Sequence, residues 1–584
     1  MRRAGGVIGR RLPVVAVLVG LLVAAVAAGD RHVAADAGVR GSQLAASIPE
    51  RTVRSSAWYC SGGPVGAGPS GDRVTISNVG SRPVRVAVDV MVPGRPVGER
   101  LVKVSARSSA TLSVARLSRA PAAAVVVQPL GGDVVVEQGY EANGDVASAP
   151  CATRPSSSWY FASGSSVAGA QQWLSLFDPF AVDAVVDVEA YTESGVRTPA
   201  ALQGLVVRQR SRLAVRVDRA VAEQKIVAVA VKVRNGSRIV ATQALTRLRS
   251  ANGAGVSLSL GALAPAHTWT FADNRSRAGA VQQLVIADPG EVDANVRVSL
   301  VADISAVIEP RMVRVPATGA TAVDFSGVVP AGASYTLVVH SPVPVVAETR
   351  DVYPSGFPGF VTEVGSPAAA RGWSFAGGPF TATGLGGGRP RVPAGFQLAV
   401  VMDVGATAKQ IGDIHTALVQ NGHVARVHTV KREAALAVVR AAQRNNPAFL
   451  RSVTSAMMPV SFDVVVKSDV WIAPLKRLLS ARDGVSTVVS AGSEAPPVAD
   501  DVVVLNPGTR AVTVSLVATA RGSVLTGQGM SNVIIAPLRQ ATISLVALER
   551  TGAAVVVHAS APVIAERFTA GPWGVTRSPG VPAG

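Results

Sequence analysis

A tryptophan followed by further aromatic or small residues, at the head of what reads as a strand, recurs four times along the 584 residues. The four openings are Trp58-Tyr59-Cys60, Trp159-Tyr160-Phe161-Ala162, Trp269-Thr270-Phe271-Ala272 and Trp373-Ser374-Phe375-Ala376. A repeat at a roughly constant period constrains the fold more than any local propensity, because each period must build the same unit. After each of the first three openings comes a strand ending in a polar turn, at Asn78, Asp178-Pro179 and Asp288-Pro289-Gly290. Alternating apolar and polar residues follow, as in Val84, Val86, Val88 and Val90, which marks a strand with one buried face. The repeats also end alike, in Val134-Val135-Val136-Glu137, Val345-Val346-Ala347-Glu348 and Val563-Ile564-Ala565-Glu566, with Val240-Ala241-Thr242-Gln243 a degenerate version. Units of about 100 residues with several short alternating strands read as tandem immunoglobulin-like β-sandwiches. Their expected bounds are 53–153, 154–262, 263–366 and a split fourth unit, 367–383 with 498–575, before a tail at 576–584.

One large aromatic at the same phase of every unit suits a strand that fills its own core. Trp58, Trp159, Phe161, Trp269, Phe271, Trp373 and Phe375 are therefore expected inside. The competing expectation is that exposed rings stack on a sugar face. The two cysteines, Cys60 and Cys151, lie at opposite ends of the first unit. A disulfide between them would close a loop of roughly 90 residues, a constraint of about 4 kcal/mol in the loop-entropy model; the alternative is two buried thiols.

The fourth opening meets its partner strand, Val502-Val503-Val504-Leu505-Asn506-Pro507-Gly508, only after well over 100 residues. Gly- and Pro-rich stretches bound an insertion at 395–492, and inside it the periodicity changes. A strand at 396–402 precedes a helix capped by Thr407 and running to about Gln420, with Ile411, Ile414 and Leu418 on one face. A strand at 424–430, a helix at 431–444, a strand at 460–467, a helix near 470–481 and a strand at 485–489 complete a split βαβ, α+β module.

Export is written at the N-terminus. Arg2, Arg3, Arg10 and Arg11 (in a basic stretch, 1–11) precede an uncharged run at 12–29, and 30–52 reads as a linker. A membrane anchor and a signal peptide cleaved near Ala25-Val26-Ala27 both remain open; either sends the remainder out of the cytoplasm. The net charge of +18 comes mostly from dispersed Arg, and aromatics are 4% of residues. A basic stripe with interleaved aromatics is lacking, which sets nucleic acid aside and leaves anionic wall polymer as a conceivable partner.

Taken together, the openings, the Asp/Asn-Pro turns and the terminal strands resemble an actinobacterial secreted family of unknown function (domain of unknown function 5719). Cys60 stands where that family usually has Phe. The insertion resembles a second family. Phe396-Gln397-Leu398-Ala399-Val400, Gly405-Ala406-Thr407, Lys431-Arg432-Glu433-Ala434, Met458-Pro459-Val460-Ser461-Phe462-Asp463-Val464 and Asp483-Gly484-Val485 look like the extracellular domain of the cell-division protein FtsX. That resemblance implies a surface that engages peptidoglycan hydrolases, with Phe449, Leu450, Met457 and Met458 as the partner-facing residues; their alternative place is inside a small helical lobe. FtsX spans the membrane four times, whereas this chain has one apolar segment, so only a binding surface carries over.

Catalytic chemistry is not written in the chain. The seven histidines show no His-x-x-x-His pair and no cysteines at zinc spacing. Nucleophile-elbow and phosphate-loop motifs are missing too. Glu348 and Glu566 share the repeat phase of Glu137, which favours a structural role over glycosidase chemistry. The expectation is a non-enzymatic envelope scaffold without cofactor or metal, binding another envelope protein, with a polymer-binding array as the alternative.

Overall fold

The computed structural model describes residues 57–583 apart from 65–71, 94–97, 119, 121–122, 143–144, 248–254, 303–307, 354–358, 378–394, 403–405, 443–453, 456–457, 481, 491–498, 521, 526–529, 546–552 and 572–573. The N-terminal apolar run lies outside the described residues. Among them, no helix is long and apolar enough to cross a membrane.

Each repeat is two facing antiparallel sheets. In the first, one sheet runs Trp58–Cys60, Ala124–Pro129, Val84–Met91, Gly98–Val104, and the other Ser108–Ser113, Arg73–Asn78, Val134–Ala142, Asp145–Pro150. The short opening strand thus pairs within one sheet, the next strand, which ends at the Asn78 turn, lies in the other, and the chain returns to the first sheet after the turn. Alternation along Val84–Met91 sends Val84, Val86, Val88 and Val90 into the core. In the third unit two of these strands fuse into one, Ser334–Tyr353, that serves both sheets.

The repeated aromatics lie in the cores. Trp58, Trp159, Trp269 and Trp373 are at most 1% exposed, and Phe161, Phe271 and Phe375 are buried with them. None of these four Trp rings presents a free face to a sugar. Three indoles donate Nε1–H to the carbonyl that starts the terminal strand, Ile239, Val345 and Val563, each at 2.8 Å. That contact shows how the degenerate repeat aligns: Ile239 matches Val345 and Val563, so Thr242 stands in the place of Glu348 and Glu566.

The phenylalanines need glycine opposite them. A Cβ on Gly261 or Gly365 would stand 2.7 Å from the ring of Phe161 or Phe271, and one on Gly580 2.8 Å from Phe375. In the first unit both members of this pair are cysteine. Cys60 replaces the Phe and Cys151 the Gly, and they are joined in a disulfide with Cα atoms 4.8 Å apart. The neighbouring bridges Tyr59 to Ala152, Tyr160 to Ala262 and Thr270 to Ser366 place the two pairs at equivalent positions.

Two features differ from the linear array expected of tandem repeats. Residues 576–584 are not a tail: Gly574–Pro579 pairs with Ala554–Gly571, and Val581–Ala583 pairs with the opening strand Ala370–Phe375. The reason is that every unit needs a closing strand after its terminal strand, as in Asp145–Pro150, Gly255–Leu260 and Gly359–Val364. These four closing strands then pack on one another in a cycle. Asp145–Pro150 meets Gly255–Leu260, which meets Gly359–Val364, which meets Gly574–Pro579, which returns to Asp145–Pro150. The four sandwiches form a closed ring around their last strands.

Equivalence of the two pairs is testable. Cys60→Ser with Cys151→Ser should lose about 2–5 kcal/mol, the usual cost of deleting a native disulfide from a small domain. Cys60→Phe with Cys151→Gly should recover part of that loss in urea unfolding, because it rebuilds the ring-over-glycine contact of the other units.

Candidate partner-binding module and the ring that carries it

The insertion folds on its own sheet, ordered Val424–Val430, Ser461–Val466, Leu398–Met402, Val485–Ser490, antiparallel throughout. Numbered along the chain this order is 2-3-1-4, that of a split βαβ unit. Helices Ala408–Val419 and Ile472–Ser480 close one face. Beneath them Leu398, Val400, Met402, Ile414, Leu418, Phe462, Val464, Leu475 and Leu479 form a core that contains no residue of the sandwiches. Thr407 caps its helix as expected: its Oγ1 accepts from Gln410 N–H at 3.2 Å, and Gln410 Oε1 accepts from Thr407 N–H at 2.9 Å, a reciprocal capping box.

Of the residues expected to face a partner, Phe449, Leu450 and Met457 lie outside the described residues. Met458 is half-buried, and its carbonyl accepts from Arg432 Nη1 at 3.1 Å, which ties the entry of the third strand to the second helix. The structure adds apolar exposure elsewhere on the module that periodicity did not single out: Val419, Val470 and Leu478 are exposed. Beside Val470, Trp471 stacks on His423 with ring centroids 3.5 Å apart. His428 lies 3.5 Å from Asp463, His415 packs on Phe462, and the three histidines of the module do not converge. Among the described residues no group of three or more His, Cys, Asp or Glu is placed to hold a metal.

One side chain ties together the two points of the fourth unit between which the chain leaves for the insertion and returns. Arg567, 4% exposed, donates Nη1 to the carbonyl of Ala376, just before the insertion, at 2.8 Å. Its Nε and Nη2 grip the carboxylate of Asp500, just after the insertion, at 2.8 Å each. A bidentate pair of this kind fixes orientation as well as position.

The acids considered as glycosidase carboxylates lie inside the junctions between units. Glu348 is fully buried and accepts from Ser163 N–H of the second unit at 2.7 Å. Glu566 accepts from Ala272 N–H and Asp273 N–H of the third unit, both at 2.7 Å. Thr242, in the matching position of the second unit, bonds Ser61 Oγ and the Gly62 carbonyl of the first. The fourth junction is closed by Gly377 N–H on Ser77 Oγ at 2.9 Å. In each case the partner is a backbone group or hydroxyl just beyond the opening aromatic or cysteine position, which in the third unit falls at the bulge within Ala266–Arg275. Each junction also has its own apolar contact: Tyr140, Ala147 and Ala149 with Ala244, Val256 and Leu258; Leu245 with Val352 and Phe360; Tyr353 and Val361 with Phe568 and Val575; Ala376 and Val581 with the core of the first unit.

Near the axis the closing strands enclose a cavity of about 70 Å³ beside Trp269, Trp373, Leu258 and Leu260, space for a few waters. At its rim Arg577, completely buried, donates to Asp351 at 3.0 Å and Tyr353 Oη at 3.1 Å and lies 3.4 Å from Glu363.

The comparisons with known proteins fall on these two parts. Residues 129–372 match a family of unknown function, DUF5719, and residues 395–498 match the FtsX extracellular domain. The chain is thus similar to DUF5719 over its second and third units, and the module set into its fourth unit is similar to the FtsX extracellular domain. The module's match goes with an extracytoplasmic, envelope- or division-associated role. No curated protein matches. Among solved structures, Thermotoga maritima 1070 is 18% identical over 17% of this chain and 93% of its own, with a TM-score of 0.16. The Anabaena sensory rhodopsin transducer is 22% identical over 14% of this chain and 92% of its own, with a TM-score of 0.13.

Two predictions follow from the junctions. Arg567→Met leaves Asp500 buried without its cation, and removal of one partner of a buried pair costs about 3–5 kcal/mol; thermal unfolding should show the loss in the ring while the helical signal of the module persists. Burial pushes the Glu348 carboxyl up to about 7, against the N–H donors that favour its charged form. The folded chain therefore keeps a proton that the unfolded chain releases near its usual 4.5. This contribution to stability is full below pH 4.5 and is lost as pH rises through 7. Glu348→Gln should flatten that part of the fall in melting temperature between pH 5 and 8.

Proposed function

We propose that this protein is a non-enzymatic scaffold of the cell envelope, in which a closed ring of four β-sandwiches presents the FtsX-extracellular-like module to another envelope protein. The partner's chemistry is that of a peptidoglycan hydrolase or a division component. The observation that carries this reading is the module's independence. It has its own core and its own four-stranded sheet, and the two points of the fourth unit that it departs from and returns to are joined by one buried arginine. A domain built to be held out from a rigid base suits recognition better than a spacer does. The ring's buried carboxylates have structural partners, and no nucleophile and base are assembled beside the axial cavity among the described residues. No cofactor or metal enters the proposal, and nucleic acid has no place in it.

The alternative is attraction of anionic wall polymer to the surplus of Arg, without help from the repeated Trp rings, which are buried. The full chain, used as bait on envelope extract beside a chain lacking 395–498, separates the two. The expected result is capture of a hydrolase or division protein that disappears with the deletion and weakens with Phe449→Ala and Met458→Ala together. Equal, salt-sensitive retention of both chains by isolated wall, with no such capture, would replace the adaptor reading with the polymer-binding one.

A further inference from the structure

The four units contain an internal comparison at the turn after the second strand. Asn78, Asp178, Asp288 and Asn506 occupy the same position, and all four are fully buried. In every unit Oδ1 accepts the backbone N–H two residues on: Gly80 at 3.0 Å, Phe180 at 2.8 Å, Gly290 at 2.8 Å and Gly508 at 2.9 Å. The second side-chain atom is therefore held in one direction throughout. In the asparagine units it is an amide that donates to backbone carbonyls. Asn78 Nδ2 reaches Arg82 O at 2.8 Å, Ser105 O at 3.1 Å and Val104 O at 3.3 Å. Asn506 Nδ2 reaches Arg510 O at 2.7 Å and Ile535 O at 2.9 Å. In the aspartate units the same place is taken by Oδ2, which in both Asp178 and Asp288 is buried without a hydrogen-bond partner.

An ionised oxygen in the place where Asn78 and Asn506 donate would meet carbonyl oxygens there, and only at Asp178 does a second N–H, that of Ala184, partly offset this. Two species remove the conflict, a cation or a proton. A calcium ion needs six to eight oxygens at 2.3–2.6 Å, whereas the asparagine units offer two or three carbonyls at hydrogen-bond distance in a buried site with no side for water. A proton needs one acceptor. We propose that Asp178 and Asp288 each hold a proton on Oδ2 in the folded protein and donate it to a backbone carbonyl, so that the second and third units, unlike the first and fourth, lose stability when that proton leaves.

The charges around the two sites agree. Burial pushes the Asp178 carboxyl up to about 6, against the N–H groups of Phe180 and Ala184 that favour its charged form, and Asp183 on the same turn raises it further. Asp288 is raised mainly by burial, with Asp293 adding to it. Tyr191 of the second unit, whose phenol feels Asp288, is itself pushed up by burial. The sign follows: a raised folded-state value means that this stability is full at acid pH and is lost as pH rises through the folded value.

Asp178→Asn with Asp288→Asn should raise the melting temperature of the full chain at pH 8 by several degrees and change it little at pH 5. The reverse change, Asn78→Asp or Asn506→Asp, should lower it at pH 8 and much less at pH 5. The infrared band of protonated carboxyl groups at pH 6 should shrink in the double asparagine variant. The proposal is overturned if the double variant is no more stable than the parent at pH 8, or if calcium stabilises the parent and not the variant.

Discussion

The structure depends on the burial of each opening strand's far end. Beyond Phe161 and Phe375 the opening strand ends, and beyond Phe271 it bulges, so the next one or two backbone groups leave the ladder of their own sheet. A buried backbone N–H left unpaired costs on the order of 1–3 kcal/mol, so something must reach it. The neighbouring unit supplies Glu348, Glu566 or Ser77 to the N–H groups, and Thr242 donates to the matching carbonyl of Gly62. Four units that each need a neighbour on one side and serve one on the other have no free end, and the ring follows from that reciprocity together with the apolar seams between the closing strands.

Ring closure also explains how the fourth unit tolerates a foreign domain. The insertion enters between the opening strand and the second strand, where the first unit already carries a long Gly- and Pro-rich connection and the others short ones. Lengthening a loop costs little entropy once its ends are fixed. Here they are fixed by Arg567, which binds the residues on both sides. The module can thus be exchanged without touching the seams, which is the property expected of a scaffold that presents a binding domain.

Much of this was legible in the residues. The period of the Trp openings, the alternation after each turn, the interior place of the aromatics and the order of strands and helices in the insertion are local consequences of side-chain size and polarity. Even the exchange of Phe and Gly for Cys60 and Cys151 left a trace, since Cys60 breaks the opening pattern. The match of Thr242 to the glutamates was legible only as a weaker likeness, because a hydroxyl and a carboxylate do the same work on different partners. The module's exposed Val419, Val470 and Leu478 gave no signal, since an apolar residue on an amphipathic helix or turn reads as core until its neighbours are known.

By itself, then, the sequence determined four sandwich units, their core residues and one α+β module in the fourth, because these depend on periodicities that act within a unit. Only the tertiary structure decided that the units close on themselves, that Gly574–Pro579 and Val581–Ala583 supply the last closing strands, and that Arg567 joins the parts of the fourth unit on either side of the insertion. Those outcomes rest on contacts between residues hundreds of positions apart. Whether a chain of sandwiches runs straight or returns to its start is set by the angle at each seam, and that angle comes from how Tyr140, Phe360, Phe568 and their neighbours pack, a property of shape that no residue pattern carries.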